Sequence, residues 1–128
     1  MKINRKEYVD QAERVIQRLK KEKDNRGRIV PMVTTSQIRN LLAMLGEIYN
    51  DVLNQQDEIL SGEIQERVEY LRMRCVYEAG RANEVKRFIE QAGLLDYLKE
   101  IGDSKEKFLL FHHYVEALVA FHRYYDGE

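Results

Sequence analysis

Arg67, Tyr70, Arg74, Tyr77 and Arg81 recur at steps of three and four residues, a spacing that sets them along one edge of a helix. The chemistry open to such an edge is binding. An arginine pairs with phosphate through a planar fork, and an aromatic ring stacks on an unpaired base. The plainer reading packs the tyrosines on a neighbouring helix and leaves the arginines solvated or ion-paired, because packing faces outnumber binding faces. Arg39 stands just past the first turn of another helix, whose start at Thr34-Thr35-Ser36-Gln37 offers hydroxyls and free amides to a phosphate. Capping alone accounts for every residue there except Arg39. Lys86 and Arg87 carry the cationic run beyond Arg81.

Catalytic chemistry finds little to work with. His112 and Glu116 share a helix face at i, i+4, with His113 between them and His122 one helix length on. Two ligands do not close a metal site, and there is no H-E-x-x-H and no carboxylate–histidine pair repeated on a second helix. Hydrogen bonding at the edge of the core, or an RNA contact, is the plainer use of these histidines. No glycine-rich phosphate loop, G-x-S-x-G elbow or dinucleotide fingerprint occurs. Ser36, Ser61 and Ser104 all stand where helices begin, and the one cysteine, Cys75, falls on an apolar seam as core filler. The expectation is a protein that is not an enzyme and holds neither metal nor cofactor.

The elements that must position the arginines are helices. One proline and seven glycines in 128 residues leave long segments free to coil, and the pattern predicts an all-α bundle of five or six helices forming a single domain over 1–128. A first helix over about 5–22 carries Tyr8, Ala12, Val15, Ile16 and Leu19. A turn-rich basic loop follows at Asp24-Asn25-Arg26-Gly27-Arg28, with Pro31 keeping the approach to the next helix extended. Thr34 and Gln37 have capping-box spacing, and the helix they open carries Ile38, Leu41, Leu42, Leu45, Ile48, Tyr49, Val52 and Leu53 on one broad face. Ser61 caps a long helix whose seam is Ile64, Val68, Leu71, Cys75, Ala79 and Ala82. The register changes after Arg81, Gly93 ends a short piece, Gly102 ends another, and Asp103-Ser104 opens the last helix. That last helix is apolar on nearly every side, from Phe108 to Phe121, which predicts the central post of the bundle.

Charge is distributed in blocks. Residues 1–33 hold ten Lys/Arg against five Asp/Glu, and residues 41–66 hold six acids and no base. Residues 67–87 turn basic again, and the tail from Phe88 is acidic, for a formal net charge of −1. A balance so near zero argues against a stand-alone nucleic-acid binder, yet the blocks suit a subunit with phosphate on one side and protein on another. No apolar run approaches the roughly 18 residues of a membrane span. The opening Met1-Lys2-Ile3-Asn4-Arg5-Lys6 lacks the apolar core of a signal peptide, and a lone cysteine suits a reducing cytoplasm.

Five stretches together have the order and spacing of a known family: residues 34–42 (TTSQIRNLL), 77–81 (YEAGR), 101–104 (IGDS), 108–111 (FLLF) and 116–120 (EALVA). The chain resembles the small subunit of the type III-A CRISPR–Cas effector, the Csm complex, from about Tyr8 onward; residues 21–32 lie outside that pattern. The resemblance implies an all-helical, non-catalytic subunit that stacks in several copies inside the complex. It would lie beside the repeated backbone subunits and the large subunit, against the duplex of CRISPR RNA and target RNA, with monitoring of guide–target complementarity as a further expectation. A duplex held by shape needs arginine and lysine on phosphate and 2′-hydroxyl, which nominates Arg39, Arg67, Arg74, Arg81, Lys86 and Arg87. For Tyr70 and Tyr77, packing remains the expectation. The rival reading is a helical protein-interaction adaptor that docks through the acidic 41–66 block and has no RNA role.

Overall fold

A computed structural model describes residues 3–126. Six helices follow one another with short connections: α1 (Tyr8–Lys21), α2 (Thr35–Asn54), α3 (Gly62–Arg81), α4 (Asn83–Ala92), α5 (Leu94–Ile101) and α6 (Lys105–Asp126). The all-α expectation holds. No described helix is long and apolar enough to cross a membrane.

Each boundary has a local cause. Residues 5–7 stay outside α1 because the Asn4 side chain takes the amides of Lys6 and Glu7 at 3.0 and 2.8 Å, a turn that competes with the helix. Thr34 accepts from the Gln37 amide at 3.2 Å while Gln37 accepts from the Thr34 amide at 3.0 Å, closing the capping box of α2. Ser61 accepts from the Ile64 amide and caps α3. α3 stops at Ala82, whose extended backbone (φ −143°, ψ 125°) turns Val85, Phe88 and Ile89 of α4 toward the core. Gly93, at φ +69°, supplies the left-handed residue that ends α4 and starts α5 without a linker. Ser104 accepts from the Lys107 amide at the start of α6.

Two small backbone pairings tie the connections down. The basic loop after α1 is a hairpin: Lys23 bridges Ile29, the Val30 amide donates to Glu22, and Asp24 accepts from the amides of Arg26 and Arg28 across Gly27 at φ +79°. The link before α3 pairs with the link before α6, where the Leu60 amide donates to the Asp103 carbonyl at 2.8 Å.

One hydrophobic cluster draws on all six helices. α6 lies along α1 and also meets α2 and α5, while α3 packs on α2, α4 and α5. Phe108, Tyr114 and Leu118 of α6 and Ala12, Val15 and Ile16 of α1 are all fully buried in this cluster. Each such side chain contributes roughly 1.5–3 kcal/mol by leaving water. Leu109, Ala117 and Phe121 of α6 are only partly buried at the margin of this core. Val33 anchors the segment before α2, and its carbonyl accepts from His122 Nε2 at 2.6 Å. His122 is therefore a structural residue.

Candidate nucleic-acid interface

The six sequence-predicted cations lie on α2, α3 and α4. Antiparallel packing of α2 on α3 sets Arg67 beside the end of α2, where it pairs with Asp51. The other end gathers the start of α2, the end of α3 and the start of α4, linked by a hydrogen bond of 3.1 Å from Gln37 Nε2 to Glu84. Arg39, Arg81, Lys86 and Arg87 belong to that end, and Arg74 stands midway along α3. From Arg67 to Arg81 the edge is about 21 Å long at the rise of an α-helix.

Most of these charges are already matched within the chain. Glu78, nearly buried, holds Arg74 at 3.0 Å and Arg81 at 3.6 Å. The spacings i, i+4 and i, i+3 around Glu78 are the signal of that pairing in the sequence. Arg87 is largely buried between Glu22, at 3.0 Å, and the Pro31 carbonyl, also at 3.0 Å, so it fastens α4 to the hairpin. Hydrogen bonding from Arg87 holds the Glu22 carboxyl below the usual carboxylate range. The Gln37 hydrogen bond does the same for Glu84. Arg39 and Lys86 are exposed and have no carboxylate partner among the described residues. The start of α4 has no cap from the Ala82 side chain, and the Glu84 carboxylate in its first turn takes its own backbone amide.

Tyr70 and Tyr77 correct the expectation of packing. They are 54% and 51% exposed, and Met73 and Val76 beside them are equally open. The reason is geometric: α2, α4 and α5 occupy the opposite side of α3, where Ile64, Val68, Leu71 and Cys75 are buried. Arg74 lies over the Tyr77 ring at 4.6 Å from its centroid and Arg81 approaches the same ring at 5.7 Å. The edge is thus an exposed aromatic stripe flanked by guanidinium groups. Burial pushes the Cys75 thiol up to about 12, so it stays protonated and unreactive, as expected of core filler.

The histidines of α6 come closer to a metal set than spacing suggested. Ligand atoms of His112, His113 and Glu116 all lie within 4.8 Å of one another. The same geometry has a simpler account. His113 Nδ1 is 2.9 Å from Glu116, and the His112 ring stacks on Tyr49 at 3.6 Å with planes 4° apart.

A family model describing Csm2 of type III-A matches residues 6–128. The chain belongs to the Csm2 type III-A family. The match takes in all six helices, the six cations of the α2–α4 edge, and the hairpin at 22–30 that the motif resemblance did not reach. Relatives described as "CRISPR system Cms protein Csm2" agree with it. The one from Streptococcus thermophilus is 44% identical over 122 residues, covering 94% of this chain and 93% of the relative. The one from Mycobacterium tuberculosis (strain H37Rv) is 38% identical over 126 residues, covering 98% and 97%. That from Enterococcus italicus is 37% identical over 121 residues, covering 89% and 86%. The Csm2 resemblance read from five short stretches therefore holds across the chain.

Proposed function

We propose that this chain is the small subunit of a type III-A CRISPR RNA-guided interference complex in the cytoplasm, a single non-catalytic domain over 1–128. The observation that carries the reading is the family match over residues 6–128, with Csm2 relatives 37–44% identical over nearly their full length. In this reading several copies stack along the backbone subunits beside the large subunit and hold the CRISPR RNA–target RNA duplex by its shape. Arg39 and Lys86, exposed and without acid partners, meet phosphate directly beside the start of α4. Arg67, Arg74 and Arg81 join by exchanging carboxylate for phosphate. Arg87 braces the edge, and monitoring of guide–target complementarity falls to this same edge. Neutralised arginines suit the part: the free chain would bind RNA weakly and with steep salt dependence, and would gain its grip only in assembly.

The exposed stripe Tyr70, Met73, Val76 and Tyr77 also favours a protein contact, since clustered aromatics and methionine mark interface cores. An adaptor without an RNA role is the reading this would leave if RNA were absent. The deciding experiment is a pull-down of the tagged chain expressed with its native neighbouring genes, reading RNA and protein from one eluate. Recovery of a short guide RNA with repeated backbone subunits is the expected result. A chain that elutes alone, or with unrelated proteins and no RNA, overturns the proposal.

A further inference from the structure

The cations that the chain leaves unmatched are concentrated on a different face from the α3 edge. Arg14, Arg18 and Lys21 recur at i, i+4, i+7 along the outer side of α1, all exposed and none paired with a carboxylate among the described residues. Lys23 and Arg26 continue this face onto the hairpin, likewise exposed and unpaired. Among the described residues, the nearby acids other than Asp10 are engaged elsewhere. Glu22 is held by Arg87, Asp24 is taken by two backbone amides and by Arg28 at 3.3 Å, and Glu13 accepts from the Tyr125 hydroxyl at 2.6 Å. Asp10, one turn before Arg14, is where the cationic stripe ends.

Between the end of α1, the hairpin and the end of α6 lies an open groove of about 610 Å³, lined by Gln17, Lys20, Lys21, Lys23, Ile29 and Tyr125. Lys20 is fixed at its wall, 2.5 Å from the Tyr125 carbonyl and 5.7 Å from the centre of the Tyr125 ring. Ile29 is 68% exposed, and Tyr124, meeting Tyr125 edge to face at 5.0 Å, is 79% exposed. Lysines along a groove, exposed aliphatic surface at Ile29 and the open Tyr124 ring next to the groove's Tyr125 are what a single strand needs: charge for its phosphates and a ring for an unpaired base. A duplex would keep its base faces stacked inside and leave Tyr124 unused.

We propose that this groove and the α1 stripe form a binding site for single-stranded RNA, separate from the duplex edge of α2–α4. The proposal rests on the reading that the assembled complex carries RNA. Arg87 connects the two surfaces mechanically, because it holds the hairpin to the first half of α4. A strand leaving the duplex edge past Lys86 would meet the hairpin next.

The test is photo-crosslinking of the affinity-purified complex grown with 4-thiouridine, with adducts mapped by mass spectrometry. Adducts are expected on Tyr124, Tyr125 or the 20–23 segment, and they should be lost in a Lys21→Glu/Lys23→Glu variant that keeps its guide RNA. A complex that holds RNA without any groove adduct, or whose adducts survive the double substitution, overturns this inference and leaves the proposed function standing. A complex without RNA overturns both. Anisotropy of labelled oligouridine with the purified chain gives a second readout. Tyr124→Ala, a change at an exposed site, should weaken binding by about five- to a hundredfold for one stacked base. Lys21→Glu/Lys23→Glu should flatten the log–log salt slope by about 1.4, roughly 0.7 for each phosphate contact removed. Unchanged affinity and slope in both variants count against the site.

Discussion

Tyr114 donates its hydroxyl to the Ala92 carbonyl at 2.7 Å from a fully buried position, and Tyr97 meets its ring edge-on at 5.4 Å. Ala92 is the last residue of α4, so this bond satisfies a carbonyl that the helix itself leaves open. Tyr114→Phe should cost about 1 kcal/mol in denaturant melts, and Tyr114→Ala about 3–5 kcal/mol through the cavity it opens. His112 makes a different prediction. Burial holds its imidazole below the ordinary value, against smaller opposing pull from Glu116, and the neighbouring His113 adds to the lowering. The folded chain thus resists a proton that the unfolded chain accepts near pH 6.5, so stability is fully present above that pH and is lost as pH falls. Thermal melts from pH 7.5 to 5.5 should show a falling midpoint. His112→Phe, which keeps a ring against Tyr49, should reduce that fall. At this scale the sequence was legible where one residue answers a local rule, as at Thr34, Ser61 and Cys75. It was opaque for Tyr70 and Tyr77, because which side of α3 faces solvent depends on where α2, α4 and α5 come to rest.

Two glycines separate backbone need from chance at the level of the helices. Gly93 holds φ +69° between α4 and α5, and a Cβ there would meet the Tyr97 ring at 3.4 Å. Gly93→Ala should therefore destabilise by about 1–2 kcal/mol. Gly46 sits in the interior of α2, and a Cβ there would meet nothing within 4 Å. Gly46→Ala should raise stability by roughly 0.5–1 kcal/mol, read as a shift of the urea midpoint at constant slope. Both changes use the same substitution, so an opposite sign tests the backbone argument directly. Helix existence was legible throughout because the apolar period, the caps at Thr34, Ser61 and Ser104, and the stops at Gly93 and Gly102 are all local. The start of α1 was not, since Asn4 diverts amides that periodicity assigns to the helix. Nor was the hairpin at 22–30: its turn residues were visible, but the bridge from Lys23 to Ile29 pairs residues whose types give no strand pattern.

Across the whole molecule the blocks of charge resolve into surfaces of unlike character. The α2–α4 edge holds arginines that Asp51, Glu78 and Glu22 already satisfy, whereas Arg39 and Lys86 stay uncommitted. Pairing lowers what an arginine can gain from phosphate, because its carboxylate must first be released; a free cation gives up only screening ions. The two uncommitted residues should therefore dominate RNA retention even though four of the six cations on the edge are arginines in ion pairs. In the assembled complex, Arg39→Glu with Lys86→Glu should lower the salt concentration at which guide and target RNA dissociate, and reduce the slope of log affinity against log salt by about one for each contact removed. Arg67→Glu, which sets two acids side by side on α2 and α3, should act mainly on the chain itself, by up to about 1 kcal/mol in a melt. Retention measured as a function of salt, beside thermal melts of the free variants, separates the two effects. If Arg67→Glu alone strips RNA while the Arg39 and Lys86 pair does not, then the ion pairs on α3 are opened in the complex, and the neutralised edge is its working surface.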